Sequence, residues 1–168
     1  MGHSMGGLLS LMLAAQEDLD GLVIAASPMK PASPLMQYGN VIGMVRTFLN
    51  FPSEPALNAV IEAEQERRGE PIHSRIHYAQ WAAQALRQLH LAIEQTQTIL
   101  AQVDDPILMI YAENDTTVPI SDLEILREAI NSTDATERVL DTGGHLIYQD
   151  VGREDAFEAV SAWLAARV

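Results

Sequence analysis

Met1-Gly2-His3-Ser4-Met5-Gly6-Gly7 opens the chain, and the G-x-S-x-G pattern inside it, with Ser4 central, decides the fold. Such a pattern reads as a sharp strand-to-helix turn that lifts a serine hydroxyl above a sheet. The flanking positions must be small, because the backbone is strained there and packs close to its neighbours. Residues 5–16 then read as the helix that follows, with Leu8, Leu9, Leu11, Met12 and Leu13 apolar. The motif alone is a weak signal, and Ser4 could equally serve as a plain cap of that helix. A turn of this kind follows a central strand, yet almost nothing precedes it here.

The remaining chain bounds the reading. Its 168 residues suffice for one domain with a real core. Hydrophobic residues make up 48% and charged residues 20%, a globular rather than a disordered balance. The net charge of -13, with no basic cluster to offset it, disfavours nucleic acid as a partner. There is no cysteine, hence no disulfide framework and no thiolate metal site. No apolar run approaches the roughly 20 residues of a membrane span, and the start lacks a basic leader. The expectation is a cytoplasmic protein with neither metal nor cofactor.

Working outward from the serine, Asp20-Gly21 is a turn and residues 22–26 are a short apolar run suited to a buried parallel strand. From Ser27 to Asp105 no convincing strand is apparent, so this long interval must hold structure of its own. Residues 41–49 and 56–68 have helical spacing, the second with Glu62, Glu64, Glu66, Arg67 and Arg68 as a solvated face. Residues 74–103 form a longer helical region, with Leu86, Leu89, Ile93, Ile99 and Leu100 facing the core. Residues 30–80 are expected to be a small helical cap. His73 and His77 stand four apart, which is metal-ligand spacing, but no carboxylate completes a site. With His90 they read as surface or packing histidines.

Residues 106–111 make the best strand, followed by the polar loop Ala112-Glu113-Asn114-Asp115-Thr116-Thr117-Val118-Pro119. Residues 121–130 read as a helix capped by Ser121. Residues 137–140 are a short strand that leads into Asp141-Thr142-Gly143-Gly144-His145. A final amphipathic helix spans residues 153–166, with Phe157, Val160, Trp163 and Leu164 inward. Alternating strands and helices predict a three-stranded parallel sheet with right-handed crossovers.

A serine hydroxyl is a poor nucleophile unless a base takes its proton, and that base needs a carboxylate to fix its tautomer. Ser4, Asp115 and His145 occur in the order nucleophile, acid, histidine. Asp115 and His145 each sit just past a predicted strand, where sites in open α/β sheets gather. Glu113 and Asp141 are lesser candidates for the acid, the first too close to the strand end and the second too close to His145.

These segments together resemble the C-terminal part of an α/β-hydrolase of the bacterial carboxylesterase and monoacylglycerol-lipase group. Gly2-His3-Ser4-Met5-Gly6-Gly7 resembles that group's nucleophile elbow. Ser27-Pro28-Met29 resembles its turn after the next strand, Glu113 to Pro119 its acid loop, and Gly143-Gly144-His145-Leu146-Ile147 its histidine loop. The resemblance implies a serine hydrolase of short- to medium-chain acyl esters or monoacylglycerol. Ser4 would be the nucleophile, His145 the base and then acid, and Asp115 its orienting carboxylate. The Met5 backbone N–H would serve the oxyanion hole, and Met29 would line an acyl pocket. Thioesterase, lactonase or peptidase chemistry on the same fold, or a non-catalytic remnant, are the alternatives.

The resemblance also implies that the family's earlier strands and one oxyanion amide are missing. Losing one such donor typically costs about 10²–10³ in turnover. Met1 stands where the family has an apolar strand end, often valine, which suggests a misplaced or truncated start. The other expectation is a half-protein that completes its sheet with a second copy or a separate N-terminal half. Either way the chain should be weakly active and prone to self-association.

Overall fold

The computed structural model describes residues 1–50, 55–72 and 80–167. A parallel sheet runs β1 (Gly2–His3), β2 (Leu22–Ala25), β5 (Ile107–Ala112), β6 (Ala135–Leu140) from edge to edge. The three expected strands are present, and a fourth, the two-residue β1, precedes them. β1 pairs Gly2 with Ile24 and His3 with Ala25, and β2 pairs Leu22 to Ala25 with Ile107 to Ile110. β5 pairs along its whole length with β6, from Ile107 opposite Ala135 to Ala112 opposite Leu140.

Strand alternation divides the core between the two faces of the sheet. Leu22, Ile24, Ile107, Met109 and Tyr111 point to one face. There they meet Leu8 and Leu11 of α1 (Met5–Ala14), Ile93 of α4 (Ala83–Ile99), and Leu123 and Leu126 of α5 (Ser121–Ala129). Val23, Ala25, Leu108, Ile110 and Ala112 point to the other face, against Ala156 and Trp163 of α6 (Arg153–Ala165). Both β2 and β5 are buried on both faces, which is why they read as continuous apolar runs.

Several expectations change. The interval between β2 and β5 holds α2 (Gly39–Val45) and α3 (Pro55–Arg67), but also an antiparallel pair, β3 (Phe48–Asn50) with β4 (Gln80–Ala82). Strands of three residues carry too little pattern to be read locally, and each exists only through its distant partner. The helix expected to run to Leu49 therefore ends at Val45, with Arg46 extended. Arg68 is not part of a solvated face. Its side chain is 7% exposed and reaches Glu154 of α6 at 2.8 Å. Ser121 does not cap α5. It is the first helical residue, Ile120 holds the cap position, and no side chain caps the helix. On α6 only Ala156 and Trp163 are fully buried, with Val160 partly so, while Phe157 and Leu164 are about half exposed. Phe157 stacks on Tyr148 instead, ring centroids 5.8 Å apart.

His90 is buried, with Nε2 3.3 Å from Glu94, and is a packing histidine. His73 and His77 lie outside the described residues. No group of His, Cys, Asp and Glu among the described residues could hold a metal ion. No described helix is long and apolar enough to cross a membrane.

Candidate active site

The site forms at the carboxyl ends of β1, β5 and β6. Ser4 sits between β1 and α1 with φ 54° and ψ −122°, a left-handed conformation that a residue with a side chain rarely adopts. Its backbone N–H donates to Ala25 O at 2.8 Å, which fastens the turn to β2. The tightness of the turn explains two of its glycines. A Cβ on Gly2 would lie 2.2 Å from Gly6 O, and one on Gly7 would lie 2.6 Å from the Ser27 Cβ. Gly6 differs, since a Cβ there meets nothing within 4 Å.

Asp115 follows β5 and is 7% exposed. Its Oδ1 accepts the N–H groups of Thr117 at 2.7 Å and Val118 at 2.9 Å, an Asx-type turn that fixes the carboxylate. Oδ2 is thereby left for the His145 Nδ1, at 2.8 Å. The other ring nitrogen, Nε2, lies 2.9 Å from the Ser4 Oγ. With Nδ1 protonated toward Asp115, Nε2 presents a lone pair to the serine hydroxyl. Ser4, His145 and Asp115 are thus brought into one hydrogen-bonded line. Glu113 and Asp141 are exposed; the Asp141 carbonyl accepts from Asn114 Nδ2 at 3.0 Å, which links the two loops.

Further residues hold the histidine loop, and of these Asp150 was not singled out from the sequence. Gly143 takes φ +80°, and Asp150, 3% exposed, accepts the Gly144 N–H at 2.9 Å. His3 lies beside the serine, and its Nε2–H donates to His145 O at 2.6 Å. Burial lowers the His3 imidazole below its usual value. Tyr148 closes the group edge-on to His3, with ring centroids 6.1 Å apart, and burial pushes its phenol up to about 12. His3 was inside the quoted motif, but nothing local says where its ring points.

Met5 is the first residue of α1, so its N–H is among those that make no intrahelical bond. Met29 has 0% exposure and belongs to the core cluster that includes Leu8 and Met109.

Comparison with known proteins agrees with this architecture. A monoacylglycerol lipase from Paleococcus ferrophilus superposes with a TM-score of 0.78 at 19% identity, over 99% of this chain and 67% of its own. A structure from a study of the metagenome-derived lipolytic enzymes LipS and LipT gives 0.81 at 22% identity, over 98% of this chain and 63% of its own. A monoglyceride lipase variant from Saccharomyces cerevisiae gives 0.72 at 15% identity, over 99% of this chain and 61% of its own. The chain therefore spans about two thirds of the length of such structures. No curated protein sequence matches it. A family model described as serine aminopeptidase, S33, matches residues 1–152, and the chain belongs to that family of α/β-hydrolases.

Proposed function

We propose that this chain carries the catalytic side of a carboxylic-ester hydrolase, with Ser4 as nucleophile, His145 as general base and acid, and Asp115 as the carboxylate that orients it. The observation that carries the proposal is the line from Asp115 Oδ2 through His145 to Ser4 Oγ, at 2.8 and 2.9 Å. In this mechanism Ser4 Oγ attacks the ester carbonyl while its proton passes to His145 Nε2. Asp115 holds the imidazolium that results. The Met5 N–H, at the positive end of α1, receives the oxyanion. Collapse expels the alcohol, which takes the proton from His145. A water then attacks the acyl-enzyme with His145 again as base, releasing the acid and restoring Ser4.

An acyl substrate is favoured by a cavity of about 310 Å³ among Leu35, Met36, Ile42, Leu49 and Leu86, almost purely apolar. We assign residues 30–80, which contribute most of that lining, to a cap that receives short- to medium-chain acyl groups or a monoacylglycerol. The lack of cysteine is compatible with a cytoplasmic setting. A peptidase reading is favoured by the family's own description, and thioester or lactone cleavage would use the same groups.

The proposal extends to assembly. Met5, Leu9 and Leu13 stand at i, i+4, i+8 on α1, each at least half exposed, beside the edge strand β1. Such a face favours self-association, or recruitment of an N-terminal half, with weak activity in its absence.

The test is labelling of the 168-residue chain by a fluorophosphonate, together with hydrolysis of p-nitrophenyl butyrate, a thioester and a peptide amide. Labelling should map to Ser4 and vanish in Ser4→Ala and His145→Ala. Asp115→Asn should lower its rate by about 10³–10⁴-fold. Ester turnover should exceed amide turnover. Labelling that persists in Ser4→Ala sinks the triad reading, and faster amide cleavage moves the assignment to a peptidase.

A further inference from the structure

We propose that Asp122 is a positioning residue whose carboxylate ties the turn after β2 to the helix after the acid loop, so that Ser4 and Asp115 keep one spacing. The inference rests on the triad reading above.

The turn after β2 needs holding. Ala26, fully buried, has φ 44°, a strained conformation for a residue with a Cβ. Its N–H reaches Ile110 O at 2.9 Å. Beyond it, side chains from three other elements grip the backbone. Tyr111 Oη donates to Ser27 O at 2.7 Å, and Gln97 Nε2 donates to Met29 O. Asp122 Oδ2 accepts both the Met29 N–H at 2.7 Å and the Lys30 N–H at 3.2 Å.

Asp122 is the unusual member of this group. It is 1% exposed, and its Oδ1 has no hydrogen-bond partner among the described residues. No cation pairs with it among the described residues. A buried carboxylate without a cation is costly, and the N-terminal end of α5 offsets only part of that cost. A plain filler at this position would be apolar. The bonds it makes are to the turn and to nothing else that a packing role requires.

Both ends of the tie lead to the triad. On one side, Gly7 in the first turn of α1 sits against Ser27, so close that a Cβ would come within 2.6 Å of the serine's Cβ. The 27–30 turn is therefore the seat on which the helix behind Ser4 rests. On the other side, Asp122 lies seven residues past Asp115, its N–H bonded to Pro119 O at 2.9 Å. Releasing the tie lets the nucleophile's helix and the acid's loop shift independently. A misplacement of about 1 Å can cost about 10²-fold in rate.

The experiment measures fluorophosphonate labelling of the 168-residue chain as kinact and KI, with the folded fraction followed by circular dichroism. In Asp122→Ala, kinact should fall by about 10- to 100-fold with KI within about threefold. Asp122→Asn should stay within about threefold of the parent, because its amide oxygen still accepts from both N–H groups. Asp122→Glu keeps the charge but moves the oxygen by about one bond, and should fall with alanine; it carries the test if the alanine variant does not fold. A purely structural role would lower the melting temperature and leave kinact of the folded fraction unchanged in Ala and Glu, which overturns the proposal. A parent chain that is not labelled at Ser4 overturns the triad reading and the proposal with it. Labelled parent and unchanged variants overturn the proposal alone.

Discussion

His3 shows how a single side chain can serve the site without being in its hydrogen-bonded line. Its ring is stacked obliquely on His145, centroids 5.0 Å apart, and holds the His145 carbonyl. Burial is the largest cause of its lowered pKa, and the nearby His145 adds to it, against the opposing pull of Asp115 and of its own hydrogen bond. A histidine whose folded pKa lies below the unfolded value of 6.5 is protonated more readily in the unfolded chain. Its contribution to stability is present above 6.5 and declines as pH falls from there toward the folded pKa. The melting temperature should therefore drop between about pH 7 and 5 in the parent and drop less in His3→Gln, which keeps an N–H donor. Equal slopes in the two proteins would remove His3 from this role. At this scale Ser4, Asp115 and His145 were legible because each carries a local motif. Asp122 and Asp150 were not, since each is explained only by the backbone groups it meets, 93 residues away in the case of Met29.

At the scale of the element, the β1–α1 turn separates glycines that geometry requires from one that it does not. A methyl at Gly2 would collide with the Gly6 carbonyl, which is helix backbone and cannot retreat. Gly2→Ala should destabilise the chain by about 1–3 kcal/mol and suppress labelling of Ser4. Gly6→Ala should be neutral or stabilising by up to about 1 kcal/mol, because it adds a good helix former in open space. Urea midpoints of the two variants check this, and the reverse order would mean that another conformation of the turn matters. The same local logic made some elements readable and hid others. β2 and β5 announced themselves by unbroken apolar runs. β6 begins at Ala135, two residues earlier than expected, because Ala135 and Thr136 are exposed and add no large apolar side chain to the pattern. On α6 the spacing permitted two faces that share Val160 and Trp163, and the buried one adds Ala156, at i, i+4, i+7, rather than Phe157 and Leu164.

Across the whole molecule, the long stretch between β2 and β5 leaves the sheet and returns to it. Two ion pairs fasten it to the far side of the domain. Arg68, just past α3, bonds Glu154 and the Asp150 carbonyl, and Arg153 of α6 pairs with Glu70. Asp150 also holds Gly144, so the end of α3 abuts the loop that carries His145. The architecture was legible as alternating strands and helices. This fastening was not, because charge runs look solvated until their partners are known.

The two-residue strand β1 has a consequence for the order in which the protein comes apart. Backbone amides exchange with solvent deuterium through openings of different size, and the most enclosed hydrogen bonds open last. The six residues of β5 are all buried between two strand neighbours, so their amides should exchange only when the entire chain unfolds. β1 is an edge strand held by two residue pairs and the Ser4 N–H, and its amides should exchange in a far smaller excursion. Ser4 thus follows directly on an edge strand held by two residue pairs. Deuterium uptake followed by mass spectrometry should show residues 2–4 exchanging well before residues 107–112. In a urea series, fluorophosphonate reactivity should disappear at a lower concentration than the circular dichroism signal. Coincident transitions would mean that the Ser4 turn and the core form one cooperative unit.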